Sequence, residues 1–147
     1  MVQNVNPTFV KTPNWGAVQI TTGTGSSVAV TIYTGGTNGS KITSLIGVSI
    51  GTTNNFDVQW GVSSGGTLFL HGTTNVAANA GSTNSIPTAG FLTNTNTVGS
   101  LSIDSDGNPY VFLPSSAYTL QAKTPATSST WTTGAAINLI VPSVGDF

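Results

Sequence analysis

Ser27-Val28-Ala29-Val30-Thr31-Ile32-Tyr33-Thr34 sets Val28, Val30 and Ile32 on one side of an extended chain and Ala29, Thr31 and Tyr33 on the other, because successive strand side chains point to opposite faces. A period of two carried by β-branched residues predicts a half-buried strand. Residues 41–50 repeat it with Ile42, Ile46, Val48 and Ile50 in phase, and Phe56, Val58, Trp60 and Val62 do the same after the turn Gly51-Thr52-Thr53-Asn54. These two segments are expected to be neighbours in one sheet, with Trp60 in the core. Further strands are predicted at residues 17–22, 67–72, 98–103, 110–113, 117–123 and 136–141. Between them stand Gly23-Thr24-Gly25, Gly35-Gly36-Thr37-Asn38-Gly39, Gly65-Gly66, Asp106-Gly107-Asn108-Pro109 and Pro114, which supply turn conformations. About eight or nine short strands with dense turns read as an all-β fold, a single antiparallel β-sandwich.

Composition supports one domain without helices. The chain has 147 residues and no cysteine, so disulfides, thiolate metal sites and thiol nucleophiles are excluded. Charged residues make up 5% of it, against about 25% in ordinary soluble domains. The cations are Lys11, Lys41 and Lys123, the anions Asp57, Asp104, Asp106 and Asp146, and the sole histidine is His71. A net charge of -1 provides neither the basic footprint of a nucleic-acid binder nor a polybasic membrane anchor. No apolar run approaches a membrane span, and Met1-Val2-Gln3-Asn4 does not open like a signal peptide, so synthesis in the cytoplasm is expected. Scarce charge also removes the repulsion that keeps monomers apart. It fits either a surface built of hydroxyls and amides or a protein that works in an assembly.

Two segments fall outside the strand pattern. Residues 1–16 carry Pro7, Pro13 and the scattered apolar residues Val5, Phe9, Val10 and Trp15 without a period. They are expected to form an extended N-terminal arm, packed on its own domain or reaching a neighbour, while residues 17–147 form the sandwich. Residues 73–97 read as a long exposed connection. Outside regular strands, Trp15 and Trp131 fit contact sites or sugar-stacking platforms, or caps on the ends of the sandwich.

Motifs with catalytic potential fail on context. Asp104 and Asp106 form the only close carboxylate pair, and Gly107-Asn108-Pro109 beside them predicts an aspartate-rich turn. As a calcium loop the stretch has its glycine too early and no glutamate to complete it. Gly61-Val62-Ser63-Ser64-Gly65 matches the formula of a nucleophile elbow, which requires a helix after the serine. Here Gly65-Gly66 leads into Thr67-Leu68-Phe69-Leu70, so a hairpin is predicted, with His71 at a strand end. Gly35 to Lys41 lacks the Lys-Ser/Thr order and the helix of a phosphate loop and reads as another hairpin. No catalytic residue, metal or cofactor is assigned, and the expectation is a protein that is not an enzyme.

Asn6-Pro7-Thr8-Phe9, Thr12-Pro13-Asn14, Gly39-Ser40-Lys41-Ile42, Gly107-Asn108-Pro109-Tyr110, Leu113-Pro114 and Gly145-Asp146-Phe147 together resemble the capsid decoration, or cement, proteins of tailed bacteriophages and prophages. That resemblance implies a jelly-roll body with an N-terminal arm. It also implies a structural virion protein on the outer capsid surface, a homo-oligomer, commonly a trimer, that binds the major capsid protein and stabilises the shell. Val5, Pro7, Phe9, Val10, Trp15, Trp131 and Phe147 are then the candidate capsid or intersubunit contacts. Two other readings stay open: a carbohydrate-binding module of a phage head fibre or tail, with Trp15 or Trp131 as platform, and a head–tail connector or tail component.

Overall fold

The computed structural model describes residues 12–22, 27–93, 101–125 and 134–147. Val5, Pro7, Phe9, Val10 and Trp131 lie outside the described residues. Those described form strands and no helix: β1 (Thr12–Ile20), β2 (Val30–Thr34), β3 (Ser40–Ile42), β4 (Ile46–Ile50), β5 (Phe56–Ser64), β6 (Thr67–Val76), β7 (Ala89–Gly90), β8 (Ser102–Ile103), β9 (Pro109–Leu113), β10 (Tyr118–Lys123) and β11 (Ala136–Asp146).

The strands make two antiparallel sheets packed face to face. The larger, seven-stranded sheet runs β7-β4-β11-β3-β9-β8, with β1 on the other side of β11; the smaller runs β2-β10-β5-β6. β11 is the seam of the larger sheet. It pairs with β1 from Thr12↔Asp146 to Ile20↔Ile137, and its opposite edge takes β4 and then β3. Alternation turns Ile137, Leu139 and Val141 inward with Ile20, Ile42, Val111 and Leu113. From the smaller sheet they meet Ile32, Phe56, Val58, Trp60, Leu120 and Ala122. Burying one such side chain is worth about 1.5–3 kcal/mol, so these two faces decide the fold. The all-β sandwich expected from the periodicity is present. A jelly roll further implies eight strands in two sheets, and the described strands divide seven and four.

Several local expectations differ from the structure. The strand expected over 41–50 is interrupted at residues 43–45, and its phase reverses across the gap: Leu45, Gly47 and Ser49 are buried while Ile46, Val48 and Ile50 face outward. The cause is the segment that covers β4. A Cβ on Gly47 would lie 2.9 Å from the Phe91 ring, and the Ser49 hydroxyl donates to the Ala77 carbonyl at 2.9 Å. Only small residues fit beneath that cover.

The covering segment lies in the stretch expected to be an exposed connection. β6 continues to Val76, after which the chain runs along the edge of β4. The Ser49 amide donates to the Ala80 carbonyl at 2.9 Å, β7 pairs with β4, and the Phe91 amide donates to the Leu45 carbonyl at 3.0 Å. Val76, Ala80, Phe91 and Leu92 are core residues, and among the described residues the longest exposed run is the tip, residues 81–85.

Nor are β4 and β5 sheet neighbours. They belong to different sheets, so the turn between them is a crossover. The same holds for the hairpin expected over Gly35 to Lys41: residues 35–39 carry the chain from β2 to β3 in the opposite sheet. β1 begins at Thr12, so residues 12–16 of the expected arm are sheet residues. Sixteen residues without apolar period concealed this, because the pairing partner, β11, lies far away in sequence. The Gly65-Gly66 hairpin is as expected, with φ of 57° and 82° at its two glycines.

Candidate interaction site

Ser63 sits within β5 opposite Leu68 and Thr119, buried, with the hairpin following it. His71 is not at a strand end. It lies inside β6, its ring 5.8 Å from that of Trp60, and burial pushes its imidazole below the ordinary histidine pKa. The aspartate-rich turn is present. Asp104 Oδ1 accepts from the amides of Asn108 at 2.8 Å and Asp106 at 3.1 Å, and Oδ2 pairs with Lys41 Nζ at 3.0 Å. The Asn108 amide and the Lys41 ammonium hold the Asp104 carboxyl below the usual carboxylate range. One oxygen closes the loop and the other ties it to β3. Among the described residues no three His or Asp side chains gather as a metal site.

A second polar cluster ties four strands together at one end of the sandwich. Tyr33 Oη donates to the Asp146 carboxylate at 2.8 Å and 2.9 Å, Ser40 Oγ donates to Oδ1, and Asn14 Nδ2 reaches Oδ2 at 3.4 Å. Ser40 Oγ in turn accepts from the Gly36 amide at 2.7 Å. Desolvation opposes ionisation of Asp146, but the hydrogen bonds from Ser40, Tyr33 and Asn14 outweigh it and hold the carboxyl below its ordinary value. Tyr33 is pushed up by burial and by its bond to that carboxylate. The cluster locks β1, β2, β3 and β11 together and leaves the carboxylate no free role.

Apart from Asp57, Asp106 and Lys123, what remains accessible among the described residues is apolar or uncharged. On the outer face of the larger sheet, alternation aligns Ala17, Gln19, Asn138, Ile140, Ile46 and Val48, and Gln19 Nε2 donates to Asn138 Oδ1 at 2.9 Å. Trp15 stands at the bulge between Asn14 and Gly16 with 67% of its surface exposed. β1 pairs only with β11 among the described strands, so it is an edge strand. Phe147, half-buried, sets its ring 6.2 Å from that of Phe112. Trp15 thus stands at the β1 edge, whereas Phe147, whose amide donates to the Gly39 carbonyl at 3.1 Å, lies on the β3–β9 side of β11, and the structure does not bring the two together.

A cleft of about 310 Å³ opens between the sheets where the β5–β6 hairpin faces β8 and β9. It is lined by Val62, His71, Leu101, Ser102, Tyr110, Val111, Phe112, Pro114 and Tyr118. Nothing in the sequence marks these as binding residues; its pattern puts Val62 in phase with Trp60 and His71 at a strand end. Their other sequence signal is the alternation of Tyr110 and Phe112 on β9; the rest come together only through the pairing of distant strands. Comparison with protein-family models, curated proteins and solved structures finds no match.

Proposed function

We propose that this protein is a structural virion component, a capsid decoration or cement protein that binds the outside of a shell of major capsid proteins as a homo-oligomer and stiffens it. The observation that supports this most directly is the β1 margin. An edge strand offers a row of backbone donors and acceptors for strand addition, and here Trp15 projects beside that row with 67% of its surface exposed. Tryptophan, with tyrosine and arginine, is enriched among interface anchors. Residues 1–11, which precede this strand in the sequence, carry Val5, Pro7, Phe9 and Val10.

Scarcity of charge suits the same role. Docking this margin desolvates amides, hydroxyls and an indole, with few ions to strip of water. An oligomer presents several such margins at once, so contacts that are individually weak hold through high effective concentration. The stabilisation is mechanical, since each copy would clamp adjacent shell subunits.

The test is reconstitution. Purified protein is added to expanded phage shells that lack it, and retention, copy number and resistance to heat or osmotic shock are measured. Saturable binding in hundreds of copies with raised resistance is expected, and Trp15→Ala should abolish retention while the free protein melts normally. Shells that bind nothing, or that gain no resistance, refute the reading; about a dozen copies or fewer would make it a tail or connector component instead.

A further inference from the structure

We propose that the cleft between the β5–β6 hairpin and β8–β9 is a binding site for a neutral pyranose sugar, one unit of a glycan chain. Its walls are of two kinds. Val62, Leu101, Val111 and Pro114 are apolar, Tyr118 and His71 carry a hydroxyl and an imidazole, and Tyr110, Phe112 and Ser102, which alternation sets on the other side of β9 and β8 from Val111 and Leu101, stand at the rim. No described residue hydrogen-bonds to the side chains of Tyr110, Tyr118, Ser102 and His71, although the comparable groups at the other end of the sandwich, on Tyr33, Ser40 and Asn14, are all spent on Asp146. A sugar ring has the matching duality: C–H faces that stack on aromatic and aliphatic surfaces, and hydroxyls around the rim that donate and accept. A purely apolar occupant would strip water from the four polar groups and return nothing, so the chemistry disfavours it.

Charge and size agree with this ligand. Burial keeps His71 neutral near pH 7, and the nearest ions, Lys41 and Asp104, are paired with each other at 3.0 Å. An anionic or cationic ligand therefore has no counter-charge here. A volume of about 310 Å³ is at the small end of ligand sites, enough for one ring and not for a cofactor. The walls are fixed in advance: Lys41 Nζ lies 4.8 Å from the centre of the Tyr110 ring, the His71 ring packs at a 30° tilt against buried Trp60, and Tyr118 packs on the core. Held walls reduce the entropy lost on binding. Phe112 at the rim of the cleft and Phe69 beyond it, the latter cross-strand from Val62, are 46% and 58% exposed. They offer stacking faces for the next sugars of a chain.

The experiment uses the full chain in solution and needs no capsid, so its outcome is independent of the proposed role on the shell. Isotope-labelled protein is titrated with methyl glycosides of glucose, galactose, mannose and N-acetylglucosamine, with β-linked tetrasaccharides of the same sugars, and with galacturonate and glucosamine as charged probes. At least one neutral glycoside should shift the His71, Tyr110 and Tyr118 signals with millimolar affinity, and its tetrasaccharide should bind about tenfold tighter. Tyr110→Phe with Tyr118→Phe, which removes two hydroxyls and keeps both rings, should weaken binding about fivefold or more at unchanged melting temperature. Phe69→Ala should erase only the advantage of the longer chain. No shift at the cleft with any neutral probe at about 50 mM, equal or tighter binding of the charged probes, or shifts centred on Trp15 overturn the proposal.

Discussion

Phe91→Ala tests whether residues 77–92 belong to the core. Phe91 is fully buried, meets the Trp60 ring edge-on at 6.3 Å, and lies directly over Gly47. Truncating a buried phenylalanine costs about 3–5 kcal/mol, the transfer of the ring plus the cavity it leaves. Loss of the edge-to-face contact, about 0.5–1.5 kcal/mol, places the expected value near the middle or top of that range. Set against a total stability of about 5–15 kcal/mol, this is a large fraction, and at about 2–4 °C per kcal/mol it lowers the melting temperature by about 8–16 °C. Urea titration followed by tryptophan fluorescence, with calorimetry beside it, measures both at an unchanged m-value.

Gly47 provides the internal control. In the wild type, Gly47→Ala pushes a methyl to 2.9 Å from the Phe91 ring and 3.2 Å from Val76, an overpacking that costs about 1–3 kcal/mol. In the Phe91→Ala background the ring is gone, and the same methyl occupies vacated space. The two changes should be strongly non-additive, with the double variant more stable than the sum of the single losses predicts. A Phe91→Ala cost below about 1 kcal/mol, the value of an exposed loop position, or simple additivity of the pair would refute the placement of this segment.

Other outcomes follow from the polar cluster and the close approaches. Asp146→Ala leaves the Tyr33 and Ser40 hydroxyls without their acceptor and should cost about 1–3 kcal/mol; equilibrium unfolding at pH 7 measures it. Because the folded carboxyl titrates below its ordinary value of 3.8, its stabilisation is fully present above that pH and is lost as pH falls through the folded pKa; Asp146→Ala should flatten that acid limb. Tyr33 behaves oppositely, its pKa being raised above 10.0. Its contribution is fully present below pH 10.0 and disappears as pH rises through the folded value, so Tyr33→Phe should remove an alkaline loss seen by circular dichroism. Gly61→Ala would drive a methyl into the Phe69 carbonyl at the β5–β6 bulge, and hydrogen exchange should show the hairpin opening more readily while the β1–β11 amides keep their protection.

The strands whose two faces differ in polarity were legible in the sequence. Phe56, Val58 and Trp60 alternate with Asp57 and Gln59 and are buried as their pattern requires, and Gly65-Gly66 forms its hairpin because two consecutive positive φ values call for glycine. Illegible were the places where distant segments decide what a residue meets. Gly47 and Ser49 face inward because Phe91 and Ala77 press on them, and nothing near residue 47 announces that. Thr12 to Gly16 reads as formless until β11 stands beside it. The cleft is the extreme case: Val62, His71, Tyr110 and Tyr118 come from four strands of two sheets, with no spacing in common. Trp15 was noticed for its type, and its 67% exposure at an edge strand is what the structure adds.

The central position of β11 has a consequence for how the chain acquires its shape. The seam of the larger sheet follows all of its partners in chain order, and it must find strands made much earlier: Ile20 opposite Ile137, Ile42 opposite Val144, Ile46 opposite Ile140. Until then β1, β3 and β4 have no common neighbour to hold them in register. The β5–β6 hairpin, whose contacts are local, can form first and recruit β10 and β2. Pairings so remote in sequence make closure slow, because loop entropy is lost before any contact compensates for it. Refolding from urea should therefore show early protection of β5–β6 amides and a later step in which β1, β3 and β4 become protected together. The nascent chain meanwhile exposes three open strand edges, and its scarcity of charge gives those edges little protection against pairing with other chains.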